Sequence, residues 1–166
     1  MENLSSYLRH SQKSIDLLKE YFYVKALETV VIGFELDENS QGTMYYSTDK
    51  ITWKSCSSGF RPAFSKNNII YFKSDITGTT KLGKLNIEGK CDIGGNIMSL
   101  LYGDDFIGKT EVTIAMCSIF DGCPIVDASK LKLPATVLTI AGCYSYMFSD
   151  CINLVSAPEL PATTLT

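Results

Sequence analysis

Phe120-Asp121-Gly122-Cys123 is answered 28 residues later by Phe148-Ser149-Asp150-Cys151, and Leu133-Pro134-Ala135-Thr136 is answered 27 residues later by Leu160-Pro161-Ala162-Thr163. Two blocks carrying Phe, Cys and Pro in one order at nearly one offset mark an internal repeat. A small indel between Cys123 and Leu133 accounts for the difference. A repeat of this length is one coil, too small to bury its apolar side alone, so its inward positions must be covered by the next coil.

The physics of stacked coils assigns roles to the residue types. Phe120, Cys123 and Leu133 in the first unit, and Phe148, Cys151, Leu154, Leu160 and Leu165 in the second, are the expected inward residues. Both Cys occupy the tight turn where such coils bury an Asn or Cys, and a period of about 20–29 residues is that of leucine-rich repeats. Pro134 and Pro161 cannot donate to a ladder and fit corners. Thr136, Thr163 and Thr164 are expected to face outward or cap the local turn. The repeat region is therefore set at residues 113–166, an incomplete array whose chain is expected to continue past Thr166, which falls inside a unit.

Working back from the repeat, residues 91–112 read as a connecting or capping segment. Gly94-Gly95-Asn96 is a turn signal, residues 97–102 an apolar run, and Gly103-Asp104-Asp105 a second break. Residues 28–90 are strand-rich. Ile32, Phe34 and Leu36 alternate, residues 43–47 and 51–54 flank a short loop, and residues 68–73 and 84–88 add two more strands. This density of short strands predicts a small β-sandwich with Trp53 anchored in its core. A carbohydrate platform of Tyr45, Tyr46, Trp53 and Tyr71 is the competing reading, although alternation sends about half of such residues inward.

Residues 1–27 read as a helix for attachment or oligomerisation. Leu8, Ile15 and Phe22 recur every seven residues, Leu4 and Leu18 fill the intermediate positions, and Ser11 interrupts the seam. Self-association and packing on the chain's own β region both satisfy that stripe. The fold class is thus mainly β with an N-terminal α-helix: a small β-sandwich followed by the start of a leucine-rich-repeat solenoid.

Composition narrows the function. A formal charge of −3 and a pI near 5.1 give no basic footprint, so no nucleic-acid partner is expected. No run of about 18 apolar residues is available to cross a membrane. Residues 1–26 carry Arg9, Lys13, Asp16, Lys19 and Glu20 and lack the apolar stretch of a secretory signal. The six cysteines form no C-x-x-C pair and are expected to be reduced and buried, with no metal site. His10 is the only histidine, and no G-x-G-x-x-G motif is present. Asp104-Asp105 reads as an exposed turn rather than a hard-cation site. No catalytic residue and no cofactor is expected.

Residues 143–165, from Cys143-Tyr144-Ser145-Tyr146-Met147-Phe148 through Leu160-Pro161-Ala162-Thr163-Thr164-Leu165, resemble one unit of the BspA-like leucine-rich repeats of gut bacteria and their phages. Residues 21–28, 46–53 and 89–104 resemble the segment that precedes such arrays. Ala115 departs from the pattern where the next unit has Cys143, which makes the first coil a degenerate, capping one. The resemblance implies a non-enzymatic virion structural protein, a head or tail fibre presenting its repeats to host surface or glycans. It also implies a homo-oligomer, a trimer by preference, attached to other virion proteins such as capsid or tail. A bacterial cell-surface adhesin of the same repeat family is the alternative.

Overall fold

The computed structural model describes residues 16–56, 59–138, 140–161 and 164–165. The protein is mainly β, and its described strands form open sheets. Eleven strands are described: β1 (Phe22–Ala26), β2 (Val30–Leu36), β3 (Met44–Ser47), β4 (Lys54–Cys56), β5 (Ala63–Phe64), β6 (Ile69–Ser74), β7 (Gly83–Glu88), β8 (Cys91–Asn96), β9 (Ile125–Lys132), β10 (Val137–Leu138) and β11 (Thr164–Leu165). A short helix, α1 (Ser99–Tyr102), runs into a 3-10 turn at Gly103–Asp105.

A six-stranded sheet runs in the order β4-β3-β6-β1-β8-β9, a three-stranded one in the order β5-β2-β7, and β10 pairs with β11. The larger sheet is antiparallel except at its last pair, where β9 lies parallel to β8. Its inner face supplies Phe22, Val24, Met44, Ile70, Phe72 and Ile93, all buried. The smaller sheet lies against that face through Val30, Ile32 and Leu85. Tyr46 on β3 meets the rings of Phe60 and Phe64 at 5.0 and 5.8 Å, closing one end of the interior. Burying such side chains is the main stabilising term, about 25 cal/mol for each Å² of apolar surface removed from water.

The sheet corrects the expected helix. Residues 16–18 are helical, but the chain is extended from Phe22 onward. Phe22, Val24 and Ala26 alternate with Tyr23 and Lys25, and the buried members are fully enclosed. A two-residue period in aromatic and β-branched residues, paired on both sides by β6 and β8, prevailed over the seven-residue spacing that had placed Phe22 on a helical seam.

The expected turn at Gly94-Gly95-Asn96 is likewise the end of β8. Here glycine serves close approach between strands. A Cβ at Gly94 would collide with the Tyr23 ring, and one at Gly95, whose φ is +76°, would collide with the Tyr21 carbonyl. Residues 91–112 do more than connect: β8 sits between β1 and β9, and Ile97, Met98, Leu100 and Phe106 are core residues. The Ser99 hydroxyl accepts the Phe22 N–H at 3.0 Å and donates to the Phe72 carbonyl at 2.8 Å, pinning α1 beneath β1 and β6. Trp53, expected in the core, is half-buried on the loop before β4, against Tyr21 and Lys73.

Candidate functional site

The two sequence repeats adopt the same backbone shape. Ser118 and Tyr146 hold φ of 55° and 54°, and Gly122 and Asp150 hold 70° and 52°. Each pair is one repeat apart, in the left-handed region that residues other than Gly adopt sparingly. In both units the Cys amide closes the turn on the Phe carbonyl, Cys123 to Phe120 at 3.0 Å and Cys151 to Phe148 at 3.2 Å.

The two units also stack. Amides of Met116, Ser118, Phe120 and Gly122 donate to the carbonyls of Cys143, Ser145, Met147 and Ser149 at 2.8–3.1 Å. Farther along, Asp127 bridges Ser156 and β10 pairs with β11, both in parallel. Every one of these contacts joins residues 27 to 29 positions apart. The aromatic residues form a column: Phe22 stacks on Phe120 and Phe120 on Phe148, each at 5.5 Å between centroids.

A thiol column runs beside the rings. Cys151 donates its S–H to the Phe120 carbonyl at 3.0 Å, and Cys123 donates to the Leu85 carbonyl at 3.1 Å. Each Cys thus reaches back one layer, and the layer below the first repeat is β7. Leu82 and Leu85 donate their amides to the carbonyls of Ala115 and Ile119, and Lys84 pairs with Asp121 at 2.9 Å. Burial pushes the Cys123 thiol up to about 12 and raises those of Cys91 and Cys151, so all three remain protonated donors at neutral pH. The expectation of buried, unbridged thiols fits Cys91, Cys123, Cys143 and Cys151, whereas Cys56 and Cys117 are half-buried.

Of the residues expected inside the repeats, Phe120, Cys123, Leu133 and Cys151 are buried, and Phe148 and Leu154 are half-buried against the same core. Leu160 is 55% exposed, against 5% for its counterpart Leu133. Leu165 pairs through its backbone with Leu138. The second unit presents Tyr146, Ile152 and Val155 to solvent as well. Its amides at Tyr146, Phe148 and Asp150, counterparts of three of the donors of the first unit, find no acceptor among the described residues.

Among the expected assembly residues, Leu4, Leu8 and Ile15 lie outside the described residues, as does His10. Leu18 is exposed at the end of the helical turn. Phe22 belongs to the ring column instead of a helical seam, and sequence reasoning missed it as the foot of that column. Its stacking partner lies far along the chain, and no local spacing signals the pairing. Comparison of the chain with family models, with curated proteins and with solved structures returns no match.

Proposed function

We propose that the chain is a non-enzymatic structural and adhesion protein, and that its C-terminal part opens a leucine-rich-repeat solenoid seeded on the β sheets. The observation that carries this reading is the ordered stack of β7, first unit and second unit, in which the backbone pairing between the two units keeps a spacing of 27 to 29 residues. Solenoids hold each coil through its neighbours and create extended binding surfaces. The second unit's free amides and its exposed Leu160, Ile152 and Val155 suit a further coil of the same kind.

The resemblance to BspA-like repeats of gut bacteria and their phages supports a virion setting for such an array, as a head or tail fibre. The N-terminal segment would attach it to capsid or tail as a homo-oligomer, preferably a trimer, and the repeats would meet host surface or glycans. The test is antibody labelling of purified phage particles and of intact host cells, with sedimentation velocity of the isolated protein. The reading expects label on particles and an oligomer at micromolar concentration. Label confined to the cell envelope would replace the fibre with a cell-surface adhesin, and a monomer would remove the oligomeric attachment.

A further inference from the structure

Away from the repeats, an open cleft of about 530 Å³ lies between the end of β6 and the α1 turn. That is within the roughly 300–1,000 Å³ of small-ligand sites. Its floor is apolar, with Ile76 and Leu101 buried beneath it. Trp53, Tyr45 and Tyr102 stand around it half-buried, and Asp75, Asp104 and Asp105 bring their carboxylates to the rim.

The walls are held in place by contacts from five separate segments. Tyr21 meets Trp53 edge-on at 5.0 Å, and Lys73 Nζ sits 4.4 Å from the Trp53 ring centroid. Asp104 accepts the Tyr21 hydroxyl at 2.8 Å and pairs with Lys73 at 2.7 Å. Asp75 accepts the Thr43 amide at 2.6 Å and the Tyr45 hydroxyl at 3.3 Å. Asp105 has no partner among the described residues, so its carboxylate is free to accept donors from a ligand.

We propose that this cleft binds a neutral sugar unit of a glycan. Ring faces carry negative partial charge and attract the weakly positive C–H face of a pyranose. Its hydroxyls are donors matched to carboxylate acceptors, which form the stronger, charge-assisted kind of hydrogen bond. Three carboxylates against one ammonium repel sialic acids, uronates and sulfated sugars. A cationic ligand would meet Lys73, already seated on Trp53 and paired with Asp104. The site is independent of the repeat stack and does not rest on the virion reading.

Trp53 is the only tryptophan in the chain, so its emission reports on this cleft alone. The experiment titrates the full chain with maltotriose, cellotriose, mannotriose and chitotriose, and with 3′-sialyllactose and tetramethylammonium chloride as charged probes. We expect a saturable change in Trp53 emission with at least one neutral trisaccharide and none with the charged probes. Asp105→Asn should weaken binding roughly tenfold, the scale of one lost charge-assisted hydrogen bond, with an unchanged melting curve. Asp105→Ser gives the same readout should the first variant fold poorly. No response to any neutral sugar, tighter binding of a charged probe, or undiminished affinity in the Asp105 variants would each overturn the proposal. In the last case the sugar makes no bond to the Asp105 carboxylate, and the adhesion reading survives without the proposed site chemistry.

Discussion

The two repeats share their Phe, Cys and Leu-Pro-Ala-Thr positions and much of their backbone shape, yet differ in what covers them. The first lies between β7 and the second unit, and Phe120 and Ile125 are fully buried within it. In the second, Phe148 is covered by Phe120 on one side, Leu154 is half-buried, and Leu160 is mostly exposed. Burial here is a property of position in a stack rather than of the residue. Each unit takes its apolar contacts from the layers packed on it, as the proposed solenoid would require.

The largest effect that could break this comparison is at Phe120. Its ring is sandwiched between Phe22 and Phe148, so Phe120→Ala should destabilise the chain by about 3–5 kcal/mol, as for other enclosed aromatics. Phe148→Ala removes a ring stacked on one side and should cost roughly half of that. Denaturant midpoints of the two variants measure the difference, and equal losses would mean that both rings are equally enclosed. Next in size is the leucine pair. Leu133→Ala should cost about 2–5 kcal/mol, whereas Leu160→Ala should stay within about 0.5 kcal/mol, as for surface changes.

Thiol chemistry sharpens the comparison without a mutation. Because burial lifts the Cys123 thiol to about 12, its favourable contribution is complete below the unfolded thiol's pKa and is lost progressively as pH rises from there through the folded value. Cys91, Cys123, Cys143 and Cys151 should therefore resist alkylation at pH 8 until the protein unfolds, with half-buried Cys117 modified first. Mass mapping of labelled peptides checks this, and early modification of Cys123 would contradict its place beneath the first coil.

The smallest effect concerns the sheet region. Hydrogen bonds from Lys73 and Tyr21 hold the Asp104 carboxyl below the usual carboxylate range. Its contribution is present above the unfolded carboxylate pKa and is lost as pH falls through the lower folded value. Trp53 emission should stay constant as pH descends through the ordinary carboxylate range and change only below it. Asp104→Asn should remove that acid-side transition while shifting stability by less than about 1 kcal/mol, because Asp104 is largely exposed.

The repeat was legible because its evidence is local identity at nearly one offset: Phe and Cys recur where the two units stack. The mainly β character was legible for the same reason, from short alternating runs that became β2, β3, β6 and β7. What stayed hidden depends on partners distant in sequence. Phe22 could be read as a helical seam residue because only β6, β8 and Phe120 reveal its strand and its stack. Gly94 and Gly95 looked like a turn because the rule they obey, room for Tyr21 and Tyr23, is written on another strand. Trp53 passed for a core residue because Tyr21, Lys73 and Asp104, which hold it at the cleft, come from three separate segments.

Residue-resolved amide hydrogen exchange on the 166-residue chain tests the layered account most directly. Met116, Ser118, Phe120 and Gly122 should exchange slowly, because each donates to the second unit, while Tyr146, Phe148 and Asp150 should exchange orders of magnitude faster. Equal rates in the two sets, or slower exchange in the second, would contradict the stacking of one coil on the next.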